Sequence, residues 1–235
     1  MNRSKHTIAT SNSALLHTLT LIICATLAWE SHGAEASTAT QISVRVIFDN
    51  VTVQTNSENA TRFTGAEIAG EPGLPGLPSV VIRVLLPPDA NLLSAVAQIE
   101  DAVIENVPGK WNVPPYPPAA TVGGKPVWPA DAEIKDGLNV RAYSTSEYQP
   151  SSFLGLVKGH PLHEWKILLT RIYPFRYNPV TKQMQRLTTC SLKVSFNKDP
   201  SGSRLKAGSS PAEERTRQRV RTSVINFDSV ADQYR

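Results

Sequence analysis

The stretch MQRLTTCSLKVSF, residues 184–196, decides the fold. In its second half Cys190, Leu192, Val194 and Phe196 fall on one face, and threonine, serine and lysine residues fall on the other. Because successive side chains of a β-strand point to opposite faces, this period of two predicts a strand with one buried face and one exposed face. Cys190 is therefore expected to be a core residue.

The regions before this strand also predict β-structure. Residues 165–177 have a strand-like composition, and residues 178–182, NPVTK, predict the turn that joins them to residues 184–196. Residues 79–86 are rich in valine, isoleucine and leucine and have proline on both sides, which predicts a buried central strand. Near the start, the alternation over residues 42–48 followed by Asp49-Asn50 and residues 51–53 predicts a further hairpin.

Two intermediate segments are less regular. Glycine occupies positions 70, 73 and 76, which is the collagen spacing, but three triplets are too few for a triple helix, and we expect a rigid turn that leads into the strand at residue 79. Residues 92–107 fit both a helical face and strands, and periodicity alone does not decide between them. Residues 108–129 predict a long proline-stiffened loop with a flexible point at Gly123-Gly124.

The N-terminus has the layout of a secretory signal peptide. Basic residues precede an apolar run over residues 14–28, and small residues follow at Ala34 and Ala36. We expect cleavage after Ala36, with Ala34 as the alternative site. The apolar run is shorter than the roughly 18 to 20 residues that span a bilayer, so no stable membrane anchor is expected. The mature chain then keeps Cys190 as its one cysteine and cannot form an internal disulfide.

The formal net charge of +4 does not indicate a nucleic-acid-binding protein. Much of the excess positive charge lies in the last segment, after the polar stretch that begins near residue 199, and the chain has no nucleic-acid-binding motif. We therefore expect a domain boundary near residue 200, with a signal peptide at residues 1–36, a β-domain at residues 37–200 and a flexible basic linker or tail at residues 201–235.

The residue types that carry catalysis or bind metals are sparse. His160, His163 and Glu164 are candidate metal ligands, but Pro161 and the following strand argue against the helix that their spacing needs, so no metal is predicted. Cys190 with one of these histidines as its base is a candidate nucleophile, but its place in a strand predicts burial. Neither paired carboxylates across a cleft nor phosphate-binding or dinucleotide motifs are evident, so no cofactor is expected.

Several short motifs, taken in order, resemble the propeptide of gingipain-type secreted cysteine peptidases. They are Gly73-x-Pro75-x-Leu77-Pro78, then Leu86-Pro87-Pro88-Asp89-Ala90, then Tyr148-x-Pro150, and finally Ile172-Tyr173-Pro174-Phe175-Arg176-Tyr177-Asn178-Pro179 before the strand that ends at Phe196. The resemblance covers roughly residues 40–198 and implies an all-β fold, an immunoglobulin-like or jelly-roll antiparallel β-sandwich. It also favours a strand for residues 92–107.

The resemblance implies a function without catalysis in this chain. A propeptide of this family inhibits the caspase-like catalytic domain, in cis or in trans, and assists its folding until proteolysis releases it. The chain is thus expected to be secreted, with the periplasm or the cell surface as alternatives. It departs from the family pattern because no catalytic domain follows before Arg235. A free-standing secreted β-sandwich that binds another protein is the alternative.

The inhibitory role suggests particular basic residues. Where the peptidase cleaves after arginine or lysine, the propeptide is expected to offer a basic side chain to an acidic pocket, from a loop whose stiffness lowers the entropy lost on docking. Lys125 is the first candidate because Pro126 follows it and resists cleavage, and Lys110 and Arg141 are alternatives. The arginine run of the tail offers candidate processing sites at Arg215, Arg217, Arg219 and Arg221.

Overall fold

Antiparallel β-strands make up most of the regular secondary structure over residues 39–56, 59–118, 121–199 and 210–234, which the computed structural model describes. The predicted signal peptide and its cleavage site after Ala36 lie outside these residues. The strands are β1 Thr40–Ile47, β2 Thr52–Thr55, β3 Thr61–Thr64, β4 Glu67–Ala69, β5 Leu77–Leu86, β6 Val96–Val107, β7 Thr121–Val122, β8 Lys125–Pro126, β9 Ile134–Lys135, β10 Leu138–Asn139, β11 Leu154–Leu162, β12 Trp165–Ile172, β13 Phe175–Asn178 and β14 Gln183–Phe196. The helices are α1 Val140–Ser144, α2 Pro211–Ser223 and α3 Phe227–Val230, followed by a 3-10 helix at Ala231–Tyr234.

The first four-stranded sheet is built around β14. Strand β6 pairs with β14 along one edge, and β1 and β13 share the other edge. The prediction of a strand over residues 184–196 is confirmed, as is the turn that precedes it. Residues 96–107 form a strand, which settles the ambiguity of this region in favour of β-structure.

The second four-stranded sheet has the order β11-β12-β5-β4. Strand β5 pairs with β12 over residues 80–86 and with β4 over residues 77–79. Its predicted central position is therefore confirmed. Beyond Ser79, the outer edge of β5 has no strand partner among the described residues, and residues from the C-terminal segment contact it instead.

One hydrophobic core takes side chains from both sheets. Buried residues of the first sheet meet buried residues of the second in a single cluster that includes Leu192, Val194, Val84 and Leu168. Cys190 belongs to this cluster and is 2% exposed, as its alternation predicts. The buried residues of β14 are not all two positions apart. The register between β14 and β6 shifts near Leu187 and Ser191, and these irregularities keep the buried side chains of β14 on the face toward the core.

The predicted hairpin over residues 42–53 is wrong. Strand β1 pairs with β14, and β2 pairs with β3. After β1 the chain turns at Asp49 and Asn50, with the N–H of Val51 donating to the carbonyl oxygen of Phe48. Phe48 and Val51 are both buried, and their burial directs the chain away from β1 rather than back along it.

The prediction of a flexible tail is also wrong for residues 210–234. Helix α2 begins with a capping box, in which Ser210 and Glu213 bond each other's backbone N–H groups and Pro211 occupies the first turn. The residues after α2 pack on the outer face of the second sheet. The apolar face that they cover gives buried partners to Val224, Phe227 and Val230. None of the described helices is long and apolar enough to span a bilayer.

Candidate functional site

The glycine-proline turn before β5 forms a short ladder with the proline-rich segment. The N–H of Gly73 donates to the carbonyl oxygen of Tyr116 at 2.9 Å, and the N–H of Tyr116 donates to the carbonyl oxygen of Leu74 at 2.7 Å. Further along, the N–H of Gly76 donates to the carbonyl oxygen of Pro114 at 2.9 Å. Two segments that are poor in N–H donors are thereby held side by side.

The collagen-like spacing of the glycines follows from this close approach. A Cβ on Gly70 would lie 3.2 Å from Cβ of Tyr116, and a Cβ on Gly76 would lie 3.2 Å from Cγ2 of Ile68. At Gly73 the backbone has φ +86°, and a Cβ would lie 2.9 Å from Cδ1 of Ile134. The spacing of three thus serves packing between neighbouring extended segments, in agreement with the rigid turn expected here.

Gly73 holds both ends of a long insertion, which we define as residues 117–138. Its N–H bonds the carbonyl oxygen of Tyr116 just before the insertion, and its carbonyl oxygen accepts the N–H of Asn139 just after it, at 3.0 Å. One residue therefore fixes the separation of the two stems. A segment with fixed ends loses less conformational entropy when it docks on a partner.

Two tyrosine hydroxyls form hydrogen bonds to residues 111–113, in the segment that leads to the insertion. The hydroxyl of Tyr177 donates to the carbonyl oxygen of Trp111 at 2.9 Å, and that of Tyr143 donates to the carbonyl oxygen of Val113 at 3.0 Å. Burial raises the pKa of both tyrosines above the ordinary value, so the hydroxyls stay protonated as donors. Asn139 caps α1 by accepting the N–H of Ala142, which fixes the helix that carries Tyr143.

Lys125 lies at the end of the hairpin that β7 and β8 form within the insertion. Gly123 and Gly124 make the turn with positive φ angles of 57° and 76°, and nothing lies within 4 Å of a Cβ built on either. Lys125 is exposed, and the ion pairs of the described residues do not include it. The neighbouring Val122 is 71% exposed, so the hairpin presents an apolar side chain beside a cation.

The two alternative basic residues lie elsewhere. Lys110 is exposed at the end of β6, and the following Trp111 bonds the turn at Lys182. Arg141, on α1, lines a cleft together with Glu71, Asp131 and Glu133. Arg141 thus shares its cleft with carboxylates, whereas Lys125 lies on an exposed hairpin. The structure thus places the three candidates on three different elements.

The predicted processing residues lie on helix α2 rather than on an extended linker. Arg215, Arg219 and Arg221 are exposed, and Arg217 is half-buried with its guanidinium 5.7 Å from the ring centre of Phe227. Because peptidases bind their substrates in extended form, the helix must open locally before any of these bonds can be cut. Cleavage at these residues stays a prediction.

The residues considered for catalysis and metal binding are dispersed. Cys190 is buried in the core, and burial raises the pKa of its thiol to about 11. His160 is exposed on β11, and His163 is exposed in the turn before β12. Among the described residues, histidine, cysteine and carboxylate side chains do not form a group of three that could hold a metal ion.

Sequence reasoning missed Gly73, Asn139, Tyr143 and Tyr177 as the residues that position the insertion. The repeated glycines were a signal, because glycine is favoured where a neighbouring segment approaches the backbone closely, as Tyr116 does at Gly70, Ile134 at Gly73 and Ile68 at Gly76. The tyrosine contacts join residues 30 and 66 positions apart, and no local pattern contains such pairings.

Comparisons with known proteins agree with this architecture. The family model described as Propeptide_C25 matches residues 28–230. None of the curated proteins matches the chain. Among solved structures, a chain of the complex of Porphyromonas gingivalis RgpB pro- and mature domains is similar with a TM-score of 0.54 and 16% identity, covering 85% of this chain and 96% of that one. A chain from a structure on the zymogenic latency of gingipain K from Porphyromonas gingivalis has a TM-score of 0.48 and 18% identity, covering 71% and 96%.

Proposed function

We propose that this chain, which belongs to the Propeptide_C25 family, inhibits the catalytic domain of a gingipain-like cysteine endopeptidase and assists its folding. The insertion carries this proposal, because it displays an exposed lysine on a hairpin whose two stems are fixed by Gly73. The likeness to a chain of the RgpB complex supports the shared fold, and that complex contains pro- and mature domains of the same peptidase.

The finer features belong to the same proposal. A chain with a signal peptide cleaved after Ala36 is exported, and its two sheets around one core suit a β-sandwich of immunoglobulin-like or jelly-roll type. The catalytic domain is the partner, in cis or in trans, and no membrane anchor, nucleic acid or cofactor is required. In this role the chain itself is not an enzyme.

Lys125 is the side chain that enters the specificity pocket of a peptidase that cleaves after lysine or arginine. A preorganised hairpin loses little entropy on docking, and a lysine that meets a buried carboxylate gains a charge-assisted hydrogen bond. Pro126 follows Lys125, so the peptide bond after the lysine lacks an N–H and is a poor substrate. The hairpin can therefore occupy the active-site cleft without being cut.

Inhibition by single-residue variants tests the proposal. Residues 37–235 are titrated against the catalytic domain of a gingipain-type peptidase from the same organism. Lys125→Ala is expected to raise the inhibition constant about a hundredfold, since truncating one member of a buried charged pair is costly. Lys135→Ala is the matched control, because Lys135 is an exposed lysine of the same insertion and should change inhibition little.

The outcomes separate the parts of the proposal. An unchanged inhibition constant for Lys125→Ala, with a loss for Lys110→Ala or Arg141→Ala, would move the inhibitory residue to that position. Absence of inhibition by the unmodified chain would refute the inhibitor role and favour a free-standing binding module. The folding role is tested by refolding the catalytic domain with and without the chain and comparing the recovered activity.

A further inference from the structure

The C-terminal strap, which we define as residues 220–234, lies on the outer face of the second sheet. Its apolar side chains close over three residues of that sheet, Leu85, Trp165 and Ile167. The ring of Trp165 lies 4.5 Å from the ring of Tyr234 and 5.8 Å from that of Phe227, measured between centroids. Trp165 and Tyr234 are almost fully buried by this contact.

The strap also satisfies the open edge of β5. The N–H of Ile225 donates to the carbonyl oxygen of Arg83 at 3.0 Å. The side-chain amide of Asn226 accepts the N–H of Leu85 at 2.7 Å and donates to its carbonyl oxygen at 2.9 Å. One side-chain amide thus forms the two hydrogen bonds that a facing residue of a neighbouring antiparallel strand would form.

A third polar contact closes the end of the β5–β12 ladder. The hydroxyl of Tyr234 donates to the carbonyl oxygen of Leu86 at 2.6 Å and accepts the N–H of Lys166 at 3.0 Å. Leu86 and Lys166 are paired residues of the two strands, so the hydroxyl bridges the last pair. The strap therefore combines apolar burial with bonds to backbone groups on both β5 and β12.

Helix α2, whose last turn from Val220 belongs to the strap, is attached weakly before that turn. Val220 is its one buried residue, Arg215, Arg219 and Arg221 are exposed, and Arg217 is half-buried against the ring of Phe227. Local opening of a helix is favoured where few apolar contacts hold it. The anchored part of the C-terminal segment thus begins at Val220, whereas the exposed basic residues lie mainly before it.

We propose that the β5 edge and the face around Trp165 form a peptide-binding site for the strap, which stays bound after the chain is cut within or before α2. Such a cut is hydrolysis, in which water supplies the hydroxyl of the new carboxyl end and the proton of the new amine. A cut after Arg215, Arg217 or Arg219 leaves the whole strap joined to the chain on its C-terminal side. A cut after Arg221 removes Val220 and also Arg221, whose guanidinium lies 5.9 Å from the ring centre of Phe227 and 3.6 Å from a carboxylate oxygen of Asp228, and leaves the other strap contacts in place.

Because the strap stays bound, separation of the two parts of a cut chain requires a second step after the cut. A peptidase domain joined after the strap remains attached to the β-domain when α2 is cut, until the strap dissociates or is cut again. That consequence rests on the propeptide role proposed above, whereas binding of the strap does not. Cleavage then comes first and separation later, and the dissociation rate of the strap determines the time between them.

Cleavage at an introduced site tests the binding. A recognition sequence for a site-specific protease replaces part of residues 201–209 in the chain 37–235, and the cut protein is passed through a native gel-filtration column. The fragment that begins near Ser210 is expected to elute with the β-domain. In the cut Asn226→Ala variant the fragment should dissociate at least about tenfold faster, because two hydrogen bonds to Leu85 are lost. Gln233→Ala, at an exposed strap position, should leave dissociation unchanged.

A second measurement tests the site without a variant, in case Asn226→Ala does not fold. A fluorescent synthetic peptide of residues 210–235 is added to the cut, otherwise unmodified protein, and its slow exchange for the unlabelled fragment is followed. Coelution with exchange, or coelution so stable that exchange is not seen over hours, supports the site. Elution of the fragment apart from the β-domain overturns it. Neither measurement contains a peptidase, so failure of the inhibitor role leaves the result intact.

Discussion

The N–H of Asn139 donates to the carbonyl oxygen of Gly73 at 3.0 Å, and this bond joins the far stem of the insertion to the turn before β5. Because the N–H of Gly73 bonds Tyr116 on the near stem, the two halves of one residue determine how the hairpin of Lys125 leaves the domain. The position of a hairpin tip therefore depends on a glycine about fifty residues earlier in the chain.

Substitution of Gly73 by alanine is expected to loosen the insertion. The residue has φ +86°, and its Cβ would collide with Cδ1 of Ile134 at 2.9 Å. We expect a loss of about 2 to 4 kcal/mol in stability, from the left-handed backbone and the collision together. Faster hydrogen exchange at the amides of Tyr116 and Asn139, and weaker inhibition of the peptidase, are the measurements.

Gly137→Ala separates the two causes. Gly137 has a similar φ of +79°, but the nearest atom to its Cβ is in Trp128 at 4.0 Å. The cost there should be about 1 kcal/mol, from backbone strain alone. Equal effects of the two substitutions would show that the close approach at Gly73 does not position the insertion.

Removal of either tyrosine hydroxyl should lower the stability of the protein, because the segment that leads to the insertion loses a hydrogen bond. Tyr143→Phe and Tyr177→Phe each remove one buried hydrogen bond to the proline-rich segment, with an expected cost of about 1 kcal/mol in chemical denaturation. Both pKa values are raised by burial, so the protonated hydroxyls contribute their full stability below about pH 10, and this contribution falls as the pH rises further. The variants should lose less stability than the unmodified protein above pH 10. A Tyr148→Phe variant, which leaves both bonds intact, should lose as much as the unmodified protein.

The thiol of Cys190 should react slowly in the folded protein. With its pKa raised from 9.0 to about 11 by burial, the thiolate fraction at pH 8 is about one in a thousand, and the 2% exposure limits access. Labelling by iodoacetamide, mapped by mass spectrometry, should be at least a hundredfold slower than in urea. Rapid labelling of the folded chain would reopen Cys190 as a nucleophile.

The same thiol should give an alkaline loss of stability. The neutral form is favoured in the folded state, so the contribution is complete below pH 9 and is lost as the pH rises from 9 to 11. The loss should reach about 2 to 3 kcal/mol. In Cys190→Ala, the slope of stability against pH between 9 and 10 should be smaller, although the variant is less stable at neutral pH.

Truncation of the strap's central aromatic side chain should destabilise the domain. Phe227 is 6% exposed and packs against Trp165, so Phe227→Ala is expected to cost about 3 kcal/mol in urea denaturation. Ile225→Ala is the control, because Ile225 is 45% exposed and its N–H still bonds Arg83. A cost below about 1 kcal/mol for Phe227→Ala would mean that the strap contributes little to the fold.

Local patterns predicted the parts of the fold that local chemistry governs. The alternation through Cys190 and Leu192, and the apolar run of β5, depend on which side chains face a core, and strands of this kind show in the sequence. The partner of β1 was not predictable in this way, because the same alternation suits a neighbouring hairpin and a distant β14 equally well.

The order of the C-terminal segment, in contrast, depends on residues far away in the sequence. Its first part is polar and charged, but it ends with apolar residues such as Val224, Phe227 and Val230, and the surface on which these pack, at Leu85 and Trp165, lies far from them in the sequence. Ser210-Pro211-Ala212-Glu213 does carry the capping-box pattern with proline in the first turn, and this signal predicts the start of α2. At the insertion, the sequence singled out Lys125. The hydrogen bonds that fix the stems were not predictable, because they join Gly73 to Tyr116 and Asn139 in two other segments of the chain.

The amide of Asn226 has a consequence for solubility. An open strand edge recruits strands of other molecules, and proteins protect such edges by covering them or by interrupting them. On β5 the amide of Asn226 occupies the N–H and the carbonyl oxygen of Leu85, and the N–H of Ile225 occupies the carbonyl oxygen of Arg83. A β-domain that has lost its strap exposes this edge next to the indole of Trp165, so such a domain is prone to self-association.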